Sequence, residues 1–159
     1  MITVRHTIGL AVSIVACFGA AWLGSLLTTP SIAGWYAALR KPPWTPPNWL
    51  FGPVWSALYL SMAIAAWLVW LKVELPGAKL ALLLFAVQLA LNIGWSGIFF
   101  TLHRPGAALI EVLLLWISIL AAVWAFWPLS RAAGWLMVPY LAWVAFASTL
   151  NYAIWRLNT

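Results

Sequence analysis

Leu80 to Leu102 reads LALLLFAVQLALNIGWSGIFFTL, twenty-three residues with no formal charge and only Gln88, Asn92, Ser96 and Thr101 bearing amide or hydroxyl side chains. A helix needs about 20 mostly apolar residues to cross a hydrocarbon core of about 30 Å. The stretch meets that length, and it lacks the strict alternation of an outer-membrane strand. At 100° per residue, Gln88, Asn92, Trp95 and Phe99 fall within about 60° of arc. Ala86, Ala90, Gly94 and Gly97 fall on the opposite side, a small-residue ladder of the kind that lets another helix approach closely. An amide facing lipid forfeits its hydrogen bonds. Gln88 and Asn92 therefore belong to a bundle interior, as bonds between helices or as contacts to a ligand.

Working outward, four more stretches are uncharged or nearly so: residues 8–27, 49–71, 106–129 and 132–155. With residues 80–102 they make five spans in a single all-α transmembrane domain covering 1–159. The composition agrees. Hydrophobic residues make up 66% of the 159 and charged ones 6%, far below the roughly 25% charge of a soluble domain. The first span follows Arg5 and His6 and includes Gly19, Ala20 and Ala21. Its apolar run is nonetheless longer than the roughly 7–15 residues of a signal-peptide core, so it reads as a retained span.

The net charge of +6 comes from 8 basic and 2 acidic residues. They are scattered between the spans rather than clustered in the dense runs that bind nucleic acid, so they read as interfacial anchors and lipid-phosphate partners. Arg5, Lys72, Lys79 and Arg131 fall on one side, and Arg40, Lys41, Arg104 and Arg156 on the other. The balance leaves insertion direction open. Cys17 is the only cysteine; an intrachain disulfide is impossible, and it reads as a small packing residue. Glu111 is the one acid inside a span, about 9 Å beyond Pro105 at 1.5 Å per residue. It is expected to snorkel, or to pair with Arg104 or His103.

The linker 28–48 is long and holds Trp35, Tyr36, Arg40, Lys41, Trp44 and four prolines, Pro42, Pro43, Pro46 and Pro47. Thr29-Pro30 reads as an N-cap and first-turn proline that open a short helix to about Leu39. The proline run then enforces an extended path. Such a segment fits a lid over a binding site or a belt lying on the headgroups.

Two further helices carry aromatic faces. Trp55, Tyr59 and Met62 share one in span two, and Tyr140, Trp143, Ala147, Leu150 and Asn151 share one in span five. If the three stripes converge under the linker, they line a pocket suited to a planar apolar ring system. Tyr152 and Arg156 lie on the far face of span five. With Leu150 they fit the loose L-x-Y-x-K/R pattern proposed for cholesterol, which an interfacial Tyr–Arg anchor satisfies equally.

Trp35-Tyr36, Lys41-Pro42, Trp44-Thr45-Pro46-Pro47, Gly52-Pro53-Val54-Trp55, Leu58-Tyr59, Gln88, Asn92, Trp95, Phe99-Phe100, Pro139-Tyr140-Leu141-Ala142-Trp143 and Leu150-Asn151-Tyr152 occur in an order and spacing that resemble the TspO/translocator protein family. The family includes the bacterial tryptophan-rich sensory proteins and the peripheral-type benzodiazepine receptors. The likeness runs nearly end to end. It implies a five-helix bundle, usually a homodimer, here through small-residue faces such as Ala86, Ala90 and Gly94. It also implies binding of protoporphyrin IX or haem, of cholesterol or hopanoid-like sterols, and of synthetic isoquinoline carboxamides.

The ligand-contact positions it points to are Tyr36, Trp55, Asn92, Trp143, Ala147 and Leu150, and the reading of this chain's own residues adds Trp44, Tyr59, Gln88, Trp95, Phe99, Tyr140 and Phe146 as candidates. Trp55 and Trp143 match tryptophans tied to light-dependent porphyrin breakdown. Tyr152 and Arg156 match the sterol motif. A multi-pass protein of a bacterial envelope, rather than of the mitochondrial outer membrane, is expected. Many relatives carry proline after the position of Trp95, where this chain has Ser96-Gly97, so a helix bend there is not required. No acidic residue precedes Trp35.

Three functions stay open: a tetrapyrrole sensor without turnover, a photo-oxidative porphyrin-degrading enzyme, and a transporter. No conventional acid–base pair, nucleophile set or metal cluster is present in the sequence pattern. His6 and His103 fall on opposite membrane sides and cannot together ligate one haem iron, so no cofactor is required and porphyrin enters as ligand. Transport sites generally show mid-membrane ionisable residues or repeated halves, and five spans do not divide into halves.

Overall fold

The computed structural model describes residues 4–159. Helices α1 (Val4–Ser31), α2 (Asn48–Trp70), α3 (Ala78–Ser96), α4 (Pro105–Phe126) and α5 (Arg131–Leu157) account for most of them. All five are long and apolar enough to cross a membrane. Short connections make sequence neighbours antiparallel. Around the bundle the order is α1–α2–α5–α4–α3, and α3 returns to α1 to close the ring.

Local chemistry sets the helix ends. Pro47, extended at φ −64° and ψ 145°, launches α2. Gly77, at φ 85°, supplies the left-handed turn ahead of α3. Pro105 opens α4 in its first turn, where a missing N–H costs nothing. The Ser130 hydroxyl caps α5 by accepting from the Ala133 N–H. His103, at φ 55°, is a non-glycine residue in left-handed space. Its ring stacks on Trp35 at 4.3 Å, and its Nε2 lies 3.2 Å from the Ser31 hydroxyl.

The first linker departs from the sequence reading. Thr29-Pro30 does not start a new helix. α1 runs through Pro30 and widens into a π-helical segment, Ile32–Tyr36, with helical backbone to Ala38. The expected helix to about Leu39 is therefore an extension of span one. Tertiary hydrogen bonds hold the continuation. Ser31 Oγ donates to the Phe100 carbonyl, and Thr101 Oγ1 donates to the Leu27 carbonyl at 3.1 Å. A second π-helical segment, Gly97–Thr101, extends α3 at the same level. The helix winding thus changes at Ser96-Gly97 without a proline there. The wide turn lets the consecutive rings of Phe99 and Phe100 both point inward, at 2% and 8% exposure.

The half of the bundle toward the α2–α3 turn is solid. Met62, Ala63, Ala66, Val69, Ala81, Ile119, Ala122, Ala133 and Met137 are buried there, and Phe85 stacks on Phe126 at 5.8 Å. Cys17 is fully buried in this core, as a small packing residue should be. At that end Trp67 Nε1 donates to the His6 carbonyl, and Arg5 pairs with Glu74 at 3.1 Å.

Glu111 corrects an expectation. It neither snorkels nor pairs with Arg104 or His103. It is 9% exposed, and neither carboxyl oxygen has a hydrogen-bond partner among the described residues. It packs against Gly94 of α3, at ordinary van der Waals distance. The α3–α4 packing draws it inward, although its position on α4 is close enough to the interface to snorkel.

Candidate functional site

The other half of the bundle is hollow. A cavity of about 600 Å³ lies between α1, α2, α3, α5 and the first π-helical segment, and α4 contributes nothing to its wall. That volume falls within the roughly 300–1,000 Å³ of small-molecule sites.

Helical periodicity delivers the rings. Trp55 and Tyr59 sit one turn apart on α2, with ring centroids 5.6 Å apart. From α3 come Asn92, Trp95 and, after the change of winding, Phe99; from α5 come Trp143, Ala147 and Leu150. Tyr36 closes the upper end, with its ring 6.4 Å from Phe99 and 5.5 Å from Phe100. These nine expected residues share one cavity wall.

Four others lie behind it. Tyr140 is fully buried and meets Trp55 edge-on at 6.1 Å. Phe146 packs outside Trp143 at 5.4 Å, and Trp44 packs on Phe146 at 5.9 Å. Gln88 lies one turn too deep, where Met62 fills the centre; its Nε2 is 3.9 Å from Met62 Sδ, and its Oε1 has no partner among the described residues.

The polar groups of the wall are bonded across helices. Tyr59 Oη donates to Asn92 Oδ1, and Asn92 Nδ2 donates to Tyr140 Oη at 3.0 Å. One amide thus ties α2, α3 and α5 together while presenting an edge to the cavity. Trp95 Nε1 donates to Asn151 Oδ1 at 3.0 Å, and Asn151 Nδ2 donates to the Pro105 carbonyl at 2.8 Å. This second bridge fixes the Trp95 ring plane and anchors α4 behind it. Trp143 differs, because its indole N–H is buried without an acceptor among the described residues.

The wall from α1 was missed by sequence reasoning. Phe18, Trp22, Ser25 and Thr29 all line the cavity. Small, hydroxyl and apolar residues are mixed around α1, and Trp22 also faces outward, 63% exposed. No stripe marked this helix. The proline-rich residues 39–47 do not line the cavity, and the roof is built from Ile32, Tyr36, Asn48 and Phe51. The linker is instead tied to the end of α5, where the Arg40 N–H donates to Asn158 Oδ1 at 3.0 Å and Asn158 Nδ2 donates to the Arg40 carbonyl at 2.9 Å.

The sterol pattern divides between two surfaces. Leu150 faces the cavity, whereas Tyr152, 51% exposed, and Arg156 face outward. Among the described residues no three His, Cys, Asp or Glu side chains gather as a metal site. His6 and His103 stand at opposite ends of the bundle, by Trp67 and Ser31 respectively.

Fold and site together define a multi-pass helical membrane protein enclosing an aromatic, uncharged cavity. The TspO/MBR family profile matches residues 13–156. The chain is 42% identical to the tryptophan-rich protein TspO of Chlorobaculum tepidum, over 97% of this chain and 98% of that one. It is 46% identical to the translocator protein of Homo sapiens, over 78% and 75% respectively. It is 41% identical to the tryptophan-rich sensory protein of Cereibacter sphaeroides, over 91% and 88%. The chain belongs to the TspO/MBR family.

Proposed function

We propose that the protein is a membrane receptor that holds a flat apolar tetrapyrrole, protoporphyrin IX or haem, in the cavity between α1, α2, α3 and α5. The observation that carries this reading is a cavity of about 600 Å³ with indoles from three helices, Trp55, Trp95 and Trp143, in one wall and no charged side chain lining it. Rings stacking on such walls bind planar systems through area burial and aromatic contact. Among the described residues no histidine lines the cavity to ligate a haem iron. Relatives named sensory protein and translocator protein support a receptor role. The long bacterial matches favour a bacterial envelope as its location. Sterols have a separate surface in the outward Tyr152–Arg156 face of α5.

One observation favours light-driven turnover as a second reading. Trp143, with its unpartnered indole N–H, shares the wall with Trp55. In that reading the excited porphyrin and dioxygen supply the oxidation, and the two indoles lie against the reacting ring. The test is titration of purified protein with protoporphyrin IX, following tryptophan fluorescence in darkness and then porphyrin absorbance under light. Saturable quenching in the dark is expected, and its absence removes the receptor reading. Replacing both Trp55 and Trp143 by Phe is expected to stop light-dependent porphyrin loss and leave weakened binding. Unchanged loss removes the enzymatic reading.

A further inference from the structure

The residues lining the cavity are uncharged, yet a cation stands just outside that lining, over one ring of the roof. Lys41 Nζ stands 4.7 Å from the centroid of the Tyr36 ring, and Tyr36 lines the cavity. The ammonium donates to the carbonyls of Leu39 at 3.1 Å and Ala37 at 3.3 Å. No acidic side chain neutralises it. The sequence has two acids. Glu74 is paired with Arg5 at the opposite end of the bundle, and Glu111 is buried against Gly94. Arg40, Arg104 and Arg156 lie at the same end as Lys41, which makes this rim cationic throughout. Arg40 is exposed, and its backbone is tied to Asn158. Lys41 is half-buried and sits on a ring of the cavity itself.

A carboxylate placed among Trp55, Trp95 and Trp143 would lose its hydration without gaining a counter-charge, which disfavours that placement. Placed at the roof, it meets an ammonium whose carbonyl bonds it can replace with a stronger, charge-assisted one.

We infer that Lys41 is the carboxylate-recognition residue of this cavity: it orients a planar apolar ligand with its acidic edge at the Tyr36 roof and its ring system down among the tryptophans. This rests on the receptor reading above and adds the polarity of the ligand and the residue that reads it.

The experiment compares protoporphyrin IX with its dimethyl ester, which has the same ring and no charge, by dark fluorescence quenching of the full chain in uncharged detergent. The diacid is expected to bind the wild type more tightly than the ester. Lys41→Met is expected to weaken the diacid about tenfold, the scale of one partly solvated charge-assisted hydrogen bond, and to leave the ester unchanged. Lys41→Arg is expected to retain most of the preference. An equal loss for both ligands, or no loss for the diacid, overturns the inference. Should Lys41→Met not fold, Lys41→Gln decides: it is expected to weaken the diacid alone, and an identical response of both ligands overturns the claim. Failure of both compounds to quench the wild type would instead remove the receptor reading itself.

Discussion

At the scale of single residues, the α3 stripe separates into residues that meet the cavity and one that does not. Asn92, Trp95 and Phe99 line it, while Gln88 is buried beside Met62. Periodicity places all four on one face, but it does not say at which depth the bundle stops being solid. Asn92 is the most consequential of them, because both ends of its amide are bonded to other helices. Asn92→Leu leaves two tyrosine hydroxyls without partners in a hydrocarbon-enclosed core. It is expected to cost about 1–2 kcal/mol, read as a lowered thermal midpoint in detergent. An unchanged midpoint would mean that the Tyr59–Asn92–Tyr140 bridge contributes nothing to stability.

At the scale of elements, two segments behave differently from their local sequence. Proline normally stops a helix, and Thr29-Pro30 carries the residues of a helix start. Here hydrogen bonds from Ser31 and Thr101 join α1 to the extension of α3 and carry the helix onward. On α4, an acid two turns from the helix start has the length to snorkel. The tight α3–α4 seam at Gly94 encloses it instead. A buried polar group with no partner is destabilising, and replacing it by an apolar side chain of similar size removes that penalty. Glu111→Leu is therefore expected to raise the thermal midpoint. A marked fall would reveal a partner for this carboxyl beyond the described contacts.

At the scale of the whole molecule, the ring order α1–α2–α5–α4–α3 leaves the outer face of α3 open. Ala86 and Ala90 are exposed there, while Gly94 and Gly97 are half-covered, Gly94 by Glu111 and Gly97 by Leu27. The small-residue ladder proposed as a dimer surface is thus open along only part of its length. A second copy docking there brings the two Ala90 positions together. Ala90→Cys is expected to form a disulfide-linked dimer in membranes under mild oxidation, while the wild type, with only buried Cys17, does not. An Ala90→Cys variant that stays monomeric on gels rules out this face.

The number of helices, their membrane character and the three aromatic stripes were all legible in the chain. Spans of the right length with almost no charge have no other stable home, and amides within them must turn inward. Three things were decided only by tertiary packing: the cavity's depth, its α1 wall and its roof. Each depends on which helices touch and how closely. The hollow begins where Met62 and the small alanines give way to rings too wide to interdigitate. The π-turns that close it are tied together by hydrogen bonds from Ser31 to the Phe100 carbonyl and from Thr101 to the Leu27 carbonyl.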